Sequence, residues 1–270
     1  MAISIRNAST AAALNDINKA SRKTTRAMEK LSSGSRIARA ADDAAGLAVA
    51  DRLRADWKSV DAAGRNANNG ISMITVADGA ASEISNVLVR MRELATQSAS
   101  ETTTTAGRTA LQTEFASLKT QIDDISGSAE FGGTSLLSAD TTINVQVGKD
   151  SGDSIAILLK ASAASDLGLT AATVSTATGA DTALGLIDSA LDELNATRAG
   201  FGAAESALDS ALNFNETYSA ALQGAESNIR DADFGKETAE LSTNQVLQQA
   251  GISVLRQANQ MSSNVLDLLG

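Results

Sequence analysis

Side chains that could carry chemistry are few in this chain, and their spacing is poor for it. Its 270 residues include no His, no Cys and no Pro. Without His there is no Ser–His–Asp triad, no HExxH zinc site and no group titrating near neutrality. Without Cys there is neither a disulfide nor a thiolate nucleophile. Carboxylates and glycine-rich turns remain. Asp42 and Asp43 form an acidic pair that could take a metal, but no third ligand stands near them, and acids just ahead of a helix act as caps and dipole partners. Asp123 and Asp124 are adjacent on a helical pattern, so they point to different sides and read as a solvated face. The turn Gly148-Lys149-Asp150-Ser151-Gly152-Asp153 lacks the spaced ligands and closing Glu of a calcium loop. Gly200-Phe201-Gly202 lacks the rest of a phosphate-binding fingerprint and the strand that should precede it. The residues point to a chain that is not an enzyme and that holds no cofactor or metal.

Helices dominate the pattern. Leu14, Ile17, Ser21, Thr24, Met28 and Leu31 recur at steps of three and four, as do Val254, Ala258, Met261, Val265 and Leu268 at the other end. Each set places an apolar stripe on one helix face. Neither stripe has a core nearby in sequence, so the expected partners are the two ends themselves and other copies of the chain. The predicted inter-subunit packing residues are Leu14, Ile17, Met28, Leu31, Val254, Leu255, Met261, Val265, Leu266, Leu268 and Leu269.

Between the ends, the spacing predicts a first helix over about 7–31, broken by Ser32-Ser33-Gly34, then a long helix over about 44–99. The face of the long helix is read as Leu47, Ala50, Arg54, Trp57, Asp61, Gly64, Asn68, Ile71 and Ile74, continuing through Asp78, Ala81, Ile84, Leu88, Met91 and Ala95. A helix over about 108–128 follows, carrying Leu111, Phe115, Leu118, Ile122 and Ile125, and Gly132-Gly133 closes the helical part. The period then changes to two: Ile143, Val145 and Val147, a turn, and Ile155, Ile157 and Leu159 predict a β-hairpin near 141–160. The small-residue stretch 161–182 reads as a solvent-exposed tip where the chain reverses, with helix resuming from about 183. The acids of Arg230-Asp231-Ala232-Asp233-Phe234 are placed to cap a last helix over about 236–268. The fold class is therefore mainly α, an elongated antiparallel coiled-coil bundle built from both chain ends with a small β-hairpin.

Composition agrees. Missing Pro suits long helices, where an interior Pro costs about 3 kcal/mol. Aromatics make up 3% of the chain, so burial per residue is small and much of it is expected from neighbours. The net charge of −10 is uneven: residues 1–70 carry 12 Lys/Arg against 7 Asp/Glu. That basic segment is interleaved with an apolar stripe and has Trp57 as its one aromatic, so its expected partner is acidic protein surface, not nucleic acid. No run of 18 apolar residues implies membrane insertion, and the first ten residues lack the pattern of a secretory signal.

Several motifs then become specific. Leu31-Ser32-Ser33-Gly34-Ser35-Arg36-Ile37, Ala41-Asp42-Asp43-Ala44-Ala45-Gly46-Leu47-Ala48 and Arg65-Asn66-Ala67-Asn68-Asn69-Gly70-Ile71-Ser72 resemble the N-terminal half of bacterial flagellin. Arg90-Met91-Arg92-Glu93-Leu94-Ala95-Thr96-Gln97-Ser98-Ala99 resembles its long D1 helix, and Val246 to Leu255 with Gln257-Ala258-Asn259-Gln260 resembles its C-terminal helix. The resemblance implies a D0 domain of residues 1–42 plus 231–270 and a D1 domain of residues 43–230, without the outer variable domains. It implies a secreted, self-polymerising subunit of the extracellular flagellar filament, exported unfolded through the flagellar type III apparatus and assembled at the filament tip for swimming motility. It implies an export chaperone on the C-terminal helix, and filament cap and junction proteins as partners. It also implies a patch for a vertebrate innate immune receptor at Arg90, Leu94 and Glu114, where the family's active form has Gln before the Arg and this chain has Val89. A hook–filament junction protein shares both terminal motifs and is the alternative within the structural class; the completeness of the D1 motifs favours flagellin. A non-polymerising coiled-coil scaffold is the alternative outside it.

Overall fold

The computed structural model describes residues 8–269, with side chains placed over 11–261. Five helices and two small antiparallel strand pairs follow one another in the described residues: α1 (Ala8–Ser33), α2 (Ala44–Ala99), α3 (Thr105–Ser128), β1 (Glu130–Phe131), β2 (Thr134–Ser135), β3 (Thr141–Gln146), β4 (Ser154–Leu159), α4 (Ala177–Arg230) and α5 (Phe234–Leu269). The mainly helical class and the hairpin predicted from the sequence are both present. The chain divides into two compact units. The first joins residues 1–56 to 221–270, and the second is 57–220, so α2 and α4 each contribute to both.

The second unit holds a conventional core. From Val60 onward, the buried face of α2 runs through Ala63, Ala67, Ile74, Ala77, Ala81, Ile84, Leu88, Met91 and Ala95. The predicted face matches from Ala81 onward. Nearer the start it differs: Asp61 and Asn68 are exposed, and Val60 and Ala67 are buried in their place. Small residues explain the shift, because a face of Ala and Gly admits a close neighbour; a Cβ on Gly70 would sit 3.1 Å from Leu208 Cδ1. Phe115 and Ile122 of α3 and Ile187, Leu194, Phe201 and Leu208 of α4 complete the helical layer.

Caps define the helix ends. Thr104 accepts the Gly107 N–H, so α3 starts at Thr105, ahead of its expected start. Arg108 donates to the carbonyls of Ser98 and Ser100, covering the last orphan acceptors of α2. Gly132 and Gly133, with φ of 59° and 81°, form the two-residue turn of β1 and β2. Two consecutive positive φ values suit a twisted hairpin turn, and the sequence reading took those glycines only as a helix stop. In the larger hairpin, Ile143 pairs with Ile157 and Val145 with Ile155, which puts the apolar residues of both strands on one face.

One expectation needs correction. Residues 161–176 are not an exposed tip: Ala164, Leu167, Leu169, Ala172 and Val174 are all buried in the core of the second unit. Side chains of α2 and α3 hold this irregular backbone, as a buried segment requires. Asp123 accepts the Ala164 N–H at 2.8 Å, Gln112 accepts the Val174 N–H at 2.6 Å, and Ser98 donates to Val174 O at 2.5 Å. Asp123 is thus a backbone anchor and not simply a solvated acid. Thr176 then accepts the Gly179 N–H, and α4 begins at Ala177, a turn and a half earlier than expected.

In the first unit, α1 and α5 run antiparallel, since Lys30 meets Glu237 while Ile17 meets Gly251. Gly34, at φ 68°, ends α1 and turns the chain into the 34–43 loop. Asp42 accepts the N–H groups of Ala38 and Arg39 and so closes that loop, while Asp43 caps α2 through Gly46 N–H at 2.9 Å. Asp233 caps α5 by accepting the Gly235 and Lys236 N–H groups. The two connecting loops are stitched together. Ser35 bridges Asp231, Arg36 N–H donates to Arg230 O, and the Arg36 guanidinium donates to Ile229 O at 2.5 Å, covering the end of α4.

Candidate assembly interface

The seam between α1 and α5 mixes small residues with partly buried aliphatic and polar ones. On α1 the less exposed positions include the run Ala13, Ile17, Ala20, Thr24, Ala27 and Leu31, flanked by Ser21, Glu29 and Lys30; on α5 they are Glu237, Leu241, Asn244, Gln248, Gly251, Leu255 and Ala258. Both sets alternate steps of four and three, the signature of a coiled-coil seam. Its fully buried apolar members are Ala20 and Ala27. Gly251 lets the helices close: a Cβ there would lie 2.7 Å from Ile17 Cγ1. The seam also buries polar groups. Lys30 donates to Glu237 Oε1 at 3.0 Å, but Glu237 Oε2 and Thr24 Oγ1 have no partner. Such groups weaken a seam that already buries little area.

Large apolar side chains lie outside that seam. Leu14 is 49% exposed, Met28 56%, Val254 56% and Met261 63%. Phe234, Val246, Leu247 and Ile252 are exposed on α5 as well. Of the predicted packing residues, the structure therefore turns Leu14, Met28, Val254 and Met261 outward and brings Ile17, Leu31 and Leu255 together on the α1–α5 seam. The side chains of Val265, Leu266, Leu268 and Leu269 lie outside the described residues. Sequence reasoning missed Phe234, Val246, Leu247 and Ile252; the neighbouring apolar pair Val246-Leu247, too wide for one seam position, was the available signal.

Several exposed large apolar residues on one helix pair suit an interaction surface better than a solvated face. Met28 sits in a shallow groove with Thr25, Glu29, Ser32, Ser33, Ala38 and Arg39. The rim of α1 is basic: Arg22, Lys23 and Arg26 are exposed, and no ion pair to them is found among the described residues. No group of three metal-ligating side chains clusters among the described residues, and none of the helices there is long and apolar enough to cross a membrane.

The second unit presents ion pairs on its surface. Arg90 donates to Glu114 and Glu93, both at 2.8 Å, and these carboxylates hold its guanidinium firmly charged, with the Glu93 bond the largest cause. Arg92 pairs with Asp188, and Arg198 with Asp78, which raises the Arg198 pKa. Of the predicted receptor patch, Arg90 and Glu114 are in contact at the surface, while Leu94 is 1% exposed and belongs to the core. Asp140 is held below the usual carboxylate range, first by the Ala161 N–H and then by Lys160.

Two family models match this chain in order, the bacterial flagellin N-terminal helical region over residues 5–142 and the bacterial flagellin C-terminal helical region over residues 184–269. The chain belongs to the bacterial flagellin family. A flagellin of Halalkalibacterium halodurans is 42% identical over 90% of this chain and 91% of its own length. A flagellin of Bacillus subtilis is 35% identical over 96% of this chain and 97% of its own length. The flagellin of Salmonella typhimurium is 39% identical over 75% of this chain but only 43% of its own length, which shows how much other members add. A crystal structure of Bacillus cereus flagellin superposes with a TM-score of 0.52 at 33% identity, covering 56% of this chain and 88% of that one. Between the two matched regions, residues 143–183 hold part of the hairpin and the buried 161–176 segment, leaving no room for an inserted outer domain. A flagellin is a structural filament subunit and not an enzyme. The hook–filament junction alternative is not favoured by these matches.

Proposed function

We propose that this flagellin leaves the cell as an unfolded chain and is added at the tip of a growing filament, where the exposed apolar faces of α1 and α5 are buried by other copies. The carrying observation is the mismatch on the terminal helices. On their own seam the fully buried apolar side chains are Ala20 and Ala27, with Ile17, Leu31, Leu241 and Leu255 partly buried, while Leu14, Met28, Val254 and Met261 stay outside it. Burying such side chains is worth about 1.5–3 kcal/mol each when complete. Ordering a helix costs about 1–2 kcal/mol per residue, so the balance tips only when many contacts form together. Growth at an existing end satisfies that condition and nucleation in solution does not.

On this reading residues 1–42 and 231–270 act as D0 and residues 43–230 as D1. The C-terminal helix is shielded by an export chaperone in transit, and cap and junction proteins meet the two ends of the polymer. For the innate receptor, the supporting surface is Arg90 with Glu114, with Leu94 beneath it. The test is to mix purified chain with short sheared filaments and image the products by electron microscopy. Long filaments growing from the seeds support the reading; seeds that stay short while the chain remains intact by mass would overturn it. Circular dichroism adds a second measurement, since free chain and filament with equal helix content would remove the coupling between ordering and assembly.

A further inference from the structure

With no Cys in the chain, methionine thioethers are its only oxidisable sulfur. The five methionines fall into distinct environments. Met73 and Met91 are buried in the core of the second unit, and Met1 lies outside the described residues. Met28 and Met261 are more than half exposed. Both project from the terminal helices, Met28 beside Ser32 and Ala38 in its groove and Met261 past the seam position Ala258. Among the described residues, the methionines open to an oxidant are therefore on the surface that the proposed assembly buries.

We propose that Met28 and Met261 are oxidative modification sites, and that peroxide-type oxidants hold the free subunit out of the polymer by converting them to sulfoxides. The inference rests on the assembly function proposed above. In the reaction one oxygen passes from a hydroperoxide to the thioether sulfur. An S=O bond forms, the O–O bond breaks, sulfur loses two electrons, and the peroxide leaves as water (or an alcohol). The product is a strongly dipolar acceptor on what had been a flexible apolar side chain. Water satisfies that acceptor in the free chain. Between apolar faces of neighbouring copies nothing does, so the sulfoxide disfavours the polymer and leaves the core of the second unit untouched. Filament contacts in turn shield the same sulfurs, so the modification acts before assembly and not after it.

The experiment uses hydrogen peroxide on the full-length chain, before and after seeded growth, with peptide masses read at all five methionines. The untreated chain is the control for the assembly reading: if it does not elongate seeds, that reading fails, whatever the oxidant does. If it elongates, the expected result is one-oxygen mass gain at Met28 and Met261 ahead of Met73 and Met91, with elongation slowed by about tenfold or more. Methionine sulfoxide reductases should then restore growth. The Met28→Leu, Met261→Leu double variant, a nearly volume-conserving change, should elongate equally well with and without peroxide. Should that variant fail to elongate at all, the reductase rescue and the slower oxidation of assembled filaments decide. Unimpaired growth of chain oxidised at both sites would overturn the proposal, as would a block that tracks sulfoxide at Met1, Met73 or Met91.

Discussion

The two units solve the same problem, stabilising long helices without aromatics in quantity, in opposite ways. In the second unit a large set of bulky residues faces inward: Phe115, Phe201, Ile84 and Leu88 are fully buried, and a hairpin and an irregular segment are packed over the helices, while Val76, Val89, Leu158 and Phe214 stay exposed. In the first, the residues buried on the helix seam are small, Ile17, Leu31, Leu241 and Leu255 are only partly covered, and several other large residues face outward. Ala20 and Ala27 are the fully buried apolar residues of the seam, while Leu14, Met28, Val254 and Met261 lie outside it. Large side chains turned inward supply stability to one chain by itself. Turned outward, they supply it only in company. A helix pair that is marginal alone is what a subunit needs if its ends are to remain unordered until an acceptor site is present.

Breaking that contrast at its strongest point means removing residues 236–270. Polymerisation should be lost entirely, while the second unit still melts cooperatively by calorimetry. Filaments from the truncated chain would show that α5 is dispensable and the contrast misdrawn. Single substitutions sharpen it. Leu88→Ala, in the core of the second unit, should lower the urea unfolding midpoint by an amount worth about 2–5 kcal/mol. Leu14→Ala should change the stability of the free chain by no more than about 0.5 kcal/mol, yet slow seeded elongation clearly. Equal effects of the two in both assays would erase the distinction.

At the seam, Gly251→Ala drives a methyl into Ile17 and should cost about 1–3 kcal/mol of α1–α5 pairing, read as lost helix content. Ile17→Ala in the same chain should recover part of it. Smaller again is the half-buried Arg198–Asp78 pair, where Arg198→Met should cost about 1 kcal/mol or less. The smallest effect expected is at Asp140. Its pKa is lowered in the folded state, so its contribution is present above the ordinary Asp range and is lost as pH falls through the lowered value. Asp140→Asn should therefore narrow the stability difference between neutral and acidic solution, by fluorescence-detected unfolding across that range. An unchanged acid limb would mean that the Ala161 and Lys160 contacts do not persist in solution.

Much of the helical frame was legible because its signals are local. The period of α2 is visible from Ala81 to Ala95, where large apolar residues mark the face. Capping acids at Asp43 and Asp233 stand one step ahead of their helices. The hairpin was legible too, because period two over Ile143, Val145, Ile155 and Ile157 has no helical reading. What was not legible involves small residues and distant partners. Ala67 and Asn68 are equally plausible on a face until a neighbour is known, and only the close approach of α4 buries the first. Leu167, Leu169 and Val174 have no periodicity, so nothing local distinguished a buried strap from an exposed tip. Their burial depends on Asp123, Gln112 and Ser98, which come from elsewhere in the chain.

The same division applies to the assembly surface. The sequence by itself determined that both ends carry helical stripes, that no thiol or imidazole chemistry is available, and that the motifs of a flagellin occur in order. Those are matters of residue type and short spacing, which act within a turn or two of helix. Only the tertiary structure decided which edge of each stripe is satisfied within the chain. Antiparallel docking of α1 on α5 places Ala20, Ala27 and Gly251 at the contact because close approach favours the smallest side chains. That rotation turns Leu14, Met28, Val254 and Met261 outward, and it could be read only once the two ends of the chain were seen side by side.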